Sequence, residues 1–297
     1  MDFYSQINSN KRKTAWLMIL FTIFITIVAY LLGYMLGGPE RAFTFFVIGL
    51  VISLLQGFTS YFFSHNLVLA STGGRLVERD EYPQIYGMLE NLSIGAGLPT
   101  PKLAIIPSHA INAFATGRDV NNSVVAVTQG MIEMLNKREI EGVIAHELGH
   151  IKNYDIRLMS IAAILVGTLA IMVEYGSRAM WFSGSDKKDG GSNVLAIIVG
   201  LAAIIIAPII AQMIKFAISR KREFLADATS ANITRDPEGL ALALEKISAD
   251  SQLLESAHTN TAHLFISNPF KNHSINLGKL FSTHPPIEER IRILRSM

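Results

Sequence analysis

Two apolar runs near the N-terminus, residues 15–36 and 43–63, set the first limit on what this chain can fold into. Each is about the twenty residues that a helix needs to cross the hydrocarbon core of a bilayer. Gly37-Gly38-Pro39-Glu40-Arg41 joins them as a tight turn, so the pair is expected to form a hairpin. Lys11, Arg12 and Lys13 flank the first run, and Tyr61, Phe62 and Phe63 end the second with the aromatic character of a membrane interface. The first run exceeds a secretory h-region and lacks a small-residue cleavage site before Gly37, so it reads as an uncleaved anchor. Two more apolar runs, 158–173 and 194–214, lie further on. The former is short and ends at Glu174, so length alone leaves it as either a span or a buried helix of a water-facing domain. The latter is long enough to cross, with a kink expected at Pro208.

Composition agrees that part of the chain lies in lipid: 50% of the 297 residues are hydrophobic and only 17% are charged. A net charge of +2, with its basic residues set beside apolar runs, argues against nucleic acid as a partner. With no cysteine, there is neither a disulfide framework nor a thiolate metal site, so any metal must be held by His, Asp or Glu.

Residues 64–157 mix polar and apolar positions with punctuating Gly and Pro, as a folded, water-facing region does. Residues 102–106, 112–116 and 123–128 read as strands of a small sheet. Asn136, followed three positions later by Glu139, is a capping box that should start a helix. That helix would carry His146-Glu147-Leu148-Gly149-His150, the pattern H-E-x-x-H. Residues four apart share a helix face, so both imidazoles can reach one ion, while Glu147 can take a proton from water in an open coordination position. A third protein ligand is then needed. Glu223 and Asp227 also lie four apart in a helical stretch expected to run on to about residue 251. They could supply a metal ligand and a partner for a ligating imidazole, or form a solvated face beside Arg220, Lys221 and Arg222. Asp155 and Arg157 read as structural ion pairs, and His258, His263 and His273 as loop residues of irregular spacing.

The residues from Ala145 to His150, then Glu223-Phe224-Leu225-Ala226-Asp227, then His284-Pro285-Pro286 resemble the HtpX-like membrane-bound zinc metalloproteases, relatives of the CAAX prenyl proteases. The resemblance covers nearly the whole chain and implies one zinc ion held by His146, His150 and Glu223, with Glu147 as base and Asp227 behind a ligating histidine. It also implies that His284 lies near the active site, as an oxyanion donor or as the anchor of the last helix. Asn112 would be a substrate contact or a turn residue. The expected fold is mainly α and integral to the membrane, with about four transmembrane helices and a zincin-like α+β catalytic domain carrying a small β-sheet. The expected units are a hairpin (1–63), the first catalytic part (64–157), a second hairpin (158–214) and the second catalytic part (215–297).

Basic residues before the first span and after the last are expected to place the catalytic domain on the cytoplasmic side. The membrane is expected to be a bacterial cell membrane. By the resemblance, the substrates are damaged or misfolded membrane proteins, cut in a stress-linked quality-control role. Two rivals remain. An intramembrane protease would need the motif inside an apolar span, but Lys137, Arg138, Glu139, Glu141, Lys152 and Asp155 surround it. A membrane scaffold or transporter with a structural zinc would need a closed ligand shell and no adjacent base, which Glu147 contradicts.

Overall fold

The computed structural model describes residues 3–183, 209, 212–213, 219–258, 260–270 and 285–297. Helix α1, Phe3–Phe62, is two arms that meet at Gly37 and Gly38. Gly38 turns the chain at φ 73° and ψ −163°, a conformation closed to residues with a Cβ. The arms run back along each other, with Gly49 close against Ala29. Leu20, Ile23 and Ile27 on one arm and Phe43, Val51 and Leu55 on the other point outward, as side chains do when their solvent is lipid.

After α2 (Ser64–Thr72) come β1 (Arg75–Val77), α3 (Pro83–Ala96), β2 (Lys102–Ile106), β3 (Ala113–Asp119) and β4 (Asn122–Thr128). The sheet order is β1-β2-β4-β3, with β2 and β4 parallel and the outer pairs antiparallel. Strand β3 runs on to Asp119, beyond the expected end at residue 116, because Asp119 closes the turn by accepting from the backbone N–H groups of Asn121 and Asn122. β1 and α3 were not read from the sequence, although α3 bears the signals of a helix: Pro83 at its start, Gly97 just past its end and the stripe Ile85, Met88, Leu89 and Leu92.

The two faces of β2 alternate, as the strand pleat requires. Leu103 and Ile105 pack with Val143, Ile144 and Leu148 of α5 (Lys137–Lys152). Ala104 and Ile106 pack on the opposite face, with Met159 and Ala163 of α6 (Asp155–Ser183). The short α4 (Gln129–Met134) leads into α5, which opens on the expected capping box: Asn136 accepts from the Glu139 N–H, and Glu139 from that of Asn136.

Helix α6 carries residues 158–173 and packs on two sides. Its first turns cover the sheet, while Leu158, Ile161, Leu165 and Leu169 pack on Leu17, Phe21 and Ile25 of α1. Among the described residues, the stretches Ser5–Phe62 and Asp155–Glu174 are helical, long and apolar enough to cross a membrane. The apolar run 194–214 lies outside the described residues, apart from Ile209, Gln212 and Met213.

The single helical stretch expected up to residue 251 is in fact two helices, α7 (Arg220–Thr234) and α8 (Pro237–Ala249). Arg235 takes φ 55°, Asp236 caps α8 through the Gly239 N–H, and Pro237, which has no N–H to donate, fits only at a helix start. A 3-10 turn, Ala262–Leu264, and helix α9, Ile287–Leu294, complete the described fold.

Helices α5 and α8 approach closely at Gly142, where an added Cβ would lie 2.7 Å from the Leu240 backbone nitrogen. We expect Gly142→Ala to lower stability by about 1–3 kcal/mol, the usual effect of overpacking against a backbone that cannot yield. A thermal melt of the detergent-purified protein checks this, and an unchanged midpoint would mean that the two helices separate freely.

Candidate metal centre

The buried face of α5 presents His146, Glu147 and His150, exposed by 0%, 1% and 5% respectively. One turn apart, the two imidazoles bring their Nε2 atoms to 3.2 Å, with their rings nearly perpendicular. Helix α7 crosses this face closely because Gly149 offers no side chain there: an added Cβ would sit 3.1 Å from Ala226 Cα. This approach brings Glu223 Oε1 to 3.6 Å from His150 Nε2 and Oε2 to 3.9 Å from His146 Nε2. One ligand atom from each of the three residues lies within 4.8 Å of the others, as a common metal ion would require.

Each imidazole is held from behind by a carboxylate. Asp227, one turn beyond Glu223, places Oδ1 at 2.9 Å from His146 Nδ1. Asp155 Oδ2 lies 3.0 Å from His150 Nδ1. Carboxylates at both Nδ1 atoms hold a proton there and aim the Nε2 atoms toward Glu223, the orientation that ligation needs once His150 gives up its second proton. Two imidazole nitrogens and a carboxylate facing one another in a dry site form a donor set that fits a divalent cation.

Burial pushes the charged form of His146 down, to about 4, although Asp227 opposes the change. At His150 burial acts in the same direction but loses to the Asp155 hydrogen bond and the Glu223 charge, and the group rises to about 9. Glu147 is raised to about 7, chiefly by burial, with the Glu223 charge acting the same way against His150 and the Ala115 N–H. Burial would also raise Asp227, but the Arg290 guanidinium holds it down at about 2. Glu147 Oε2 is buried and has no hydrogen-bond partner among the described residues, which leaves it able to accept a proton from a nearby water.

Sequence reading missed three residues here. Asp155 does form an ion pair, at 3.4 Å from Arg222 Nε, but its other oxygen is the one on His150. A left-handed Tyr154, at φ 59°, folds the chain back between α5 and α6 and delivers Asp155 to that position. Arg222, expected on a solvated face, is only 1% exposed. Arg290 of α9 is fully buried and grips Asp227 through two hydrogen bonds, Nε to Oδ2 at 2.9 Å and Nη2 to Oδ1 at 2.7 Å. It had left a sequence signal: Ile287, Arg290, Ile291 and Leu294 follow the i, i+3, i+4, i+7 stripe of a core-facing helix, so an arginine was destined for the interior.

Asn112 is buried at the head of β3, where its Oδ1 accepts from the Ala113 N–H and its Nδ2 donates to the Ser267 carbonyl. His263 is buried, with Nε2 3.1 Å from the Met159 carbonyl oxygen, and is no open-loop residue. His273 and His284 lie outside the described residues.

Removing the Arg290 charge would strand the Asp227 carboxylate. Arg290→Met is therefore expected to destabilise the protein by about 3–5 kcal/mol, and Asp227→Asn added to it should restore part of the loss. Denaturant titration in the presence of chelator checks both, and a negligible effect of Arg290→Met would show that water reaches Asp227.

Comparison with known proteins converges on one family. The model for peptidase family M48 matches residues 80–297. A protease HtpX homolog from Dictyoglomus turgidum is 46% identical over 299 residues, covering 99% of this chain and 95% of that protein. Another from Lactobacillus helveticus is 40% identical, covering 99% of both. A third, from Pyrococcus furiosus, is 43% identical and covers 92% of both, so similarity alone does not single out a bacterial source. The crystal structure of Ste24p from S. mikatae, only 18% identical, shares the fold at a TM-score of 0.50 over 93% of this chain and 67% of that one. With a family match over most of its length and relatives above 40% identity, the chain belongs to peptidase family M48 and is a membrane metalloprotease.

Proposed function

We propose that the chain binds one zinc ion between His146, His150 and Glu223 and uses Glu147 as general base to hydrolyse peptide bonds. The observation that carries this reading is the convergence of two imidazole nitrogens and one carboxylate beside a second, buried carboxylate. Two nitrogens and an oxygen without thiolate are a usual zinc donor set. Zinc bound there supplies a Lewis acid that lowers the pKa of water and polarises the scissile carbonyl. The chain's own residues do the remaining work. Asp227 and Asp155 keep both imidazoles in the ligating tautomer, and Arg290 fixes Asp227. Glu147, raised toward neutrality, takes a proton from the attacking water and returns it to the leaving amine. Asp227 thus serves as a positioning residue behind His146. His284, by family resemblance, is the proposed donor to the oxyanion. Asn112 is assigned to the same cleft, where its amide ties residue 267 to the head of β3.

The proposed topology has four crossings, with 158–173 and 194–214 leaving and re-entering on one side. His146 and Glu223 meet at one centre, so an even number of crossings must separate them. Lys11, Arg12, Lys13, Arg220 and Lys221 favour the cytoplasm for that side. The proposed substrates are misfolded or damaged membrane proteins.

Glu147→Gln should retain zinc and lower the cleavage rate of an unfolded protein such as casein by at least about 10³-fold, since base and proton shuttle are lost together. Glu223→Ala should lower bound zinc itself. Metal analysis beside a gel assay separates the two, and a Glu147→Gln protein of normal activity would rule out the assigned base.

Zinc uptake should also release protons, with a defined pH dependence. At pH 6, His150 and Glu147 both carry a proton that the loaded site expels, so about two protons are released per ion. At pH 8, Glu147 is already ionised and His150 supplies the one side-chain proton, to which a zinc-bound water would add its own. Affinity therefore rises with pH until His150 is titrated. Calorimetry in buffers of different ionisation enthalpy measures this, and uptake that releases no proton between pH 6 and pH 8 would contradict it.

A further inference from the structure

The N-terminal arm of the membrane hairpin reaches the metal centre through one buried side chain. Asn10, in α1 just before Lys11, is 0% exposed. Its Nδ2 donates to Asp155 Oδ1 at 2.7 Å and to the Asn153 carbonyl at 3.0 Å. The second oxygen of Asp155 is the one on His150 Nδ1, 3.0 Å away. A continuous line therefore runs from Asn10 to Asp155 to His150 Nε2, where the metal is expected. Both acceptors facing Asn10 are oxygens, so its amide has one possible orientation, with nitrogen inward. Around this line, Lys11 sits over the Tyr154 ring at 4.5 Å, and Arg222 Nε holds Asp155 from the other side at 3.4 Å. The contact bridges two parts of the chain separated by well over a hundred residues, and it joins a segment upstream of the family match to a helix within it.

We infer that Asn10 is a positioning residue of the metal centre: it fixes the carboxylate that orients His150, and thereby makes the seating of the first membrane arm a condition for tight metal binding. Asp155 stands at the first turn of α6, after a left-handed residue, and its two oxygens point at different partners, Oδ1 at Asn10 and Arg222 and Oδ2 at His150. Oδ1 has Asn10 and Arg222 on it; without the amide donor, the carboxylate can turn toward Arg222 and leave His150 Nδ1. A histidine whose second nitrogen loses its acceptor loses basicity and a fixed ring angle, which typically weakens metal binding about 10–100-fold. Asn10 acts one bond further out, so its removal should lie at the lower end of that range.

This inference rests on the metal reading above, and its test is a double-mutant cycle on the full-length protein in detergent, reading zinc affinity by competition with a chromophoric chelator. Asn10→Leu, similar in size but without a donor, should weaken binding about tenfold. Asp155→Asn should weaken it at least as much, and Asn10→Leu added to Asp155→Asn should weaken it no further, because the line it acts through is already broken. The cobalt(II)-substituted visible spectrum should shift in Asn10→Leu, as the His150 ring is released. Thr14→Val is the packing control: Thr14 is buried one turn along and, among the described residues, its hydroxyl donates to its own helix at Asn10 O, so its affinity should match wild type. If Asn10→Leu does not fold, Asn10→Asp keeps the shape, sets a carboxylate against Asp155 and should weaken binding likewise. Unchanged affinity in the Asn10 variants, or equal weakening with and without Asp155, would overturn the inference while leaving the metal site intact. A wild-type protein that binds no zinc would overturn both.

Discussion

The structure depends on burying, along one face of α5, side chains that water would otherwise solvate. His146, Glu147, His150, Asp155, Glu223, Asp227, Arg222 and Arg290 come from four helices and are each at most 5% exposed. Isolated charges cannot remain there, since desolvation costs far more than one hydrogen bond returns. The side chains hold one another: Arg290 grips Asp227, Arg222 pairs with Asp155, and each of those carboxylates holds an imidazole. Burial lowers His146 and raises Glu147, so both can stay neutral there, while the Asp155 hydrogen bond and the Glu223 charge raise His150 against its burial. The two groups raised in this way, His150 and Glu147, are those that a bound divalent ion would discharge.

This arrangement explains why α6 begins where it does. A helix that merely crossed a membrane could start anywhere along its apolar run. Here it starts at Asp155, behind His150, and its first turns close the sheet before the rest packs against α1. The left-handed Tyr154 is the local cost of the sharp reversal, a cost offset by Lys11 and Arg157 stacked on its ring. The membrane-facing and water-facing parts therefore share a helix and a polar contact, and are not two bodies joined by a linker.

What the sequence made legible was what is local. The capping box, the H-E-x-x-H face and the strands 102–106 and 123–128 each depend on residues within a few positions of one another. Glu223 was half legible: its four-residue spacing from Asp227 suggested a shared face, but only the close crossing at Gly149 tells that face from a solvated one. Arg222 was illegible because its partner, Asp155, lies far away in the chain, whereas Asp155 forms an ion pair as expected and its contact with His150, five residues away, went unread. Two signals were present and went unread: Asp236-Pro237, which ends one helix and opens another, and Arg290 on the apolar stripe of α9. The roles given to Asn112 and His284 came from resemblance, and no spacing rule could have derived them.

The β3 edge of the sheet, largely buried, bears on what can be presented to the metal centre. Asn112 O accepts from Thr128 N, so the alternation of an antiparallel pair turns the backbone of Phe114 and Thr116 toward β4 and that of Ala113, Ala115 and Gly117 outward. Most of that outward edge is already in use. Ile266 N donates to Ala113 O, the Ala113 N–H goes to Asn112, and the Gly117 N–H donates to Ser160. The Ala115 N–H faces Glu147, which leaves the Ala115 carbonyl as the edge group beside the base. On the reading proposed above, a substrate strand can therefore pair with this edge over little more than one residue before it meets segment 264–267. So short a ladder gives little affinity, and a peptide bond can be presented there only by a chain already extended and free to bend on both sides.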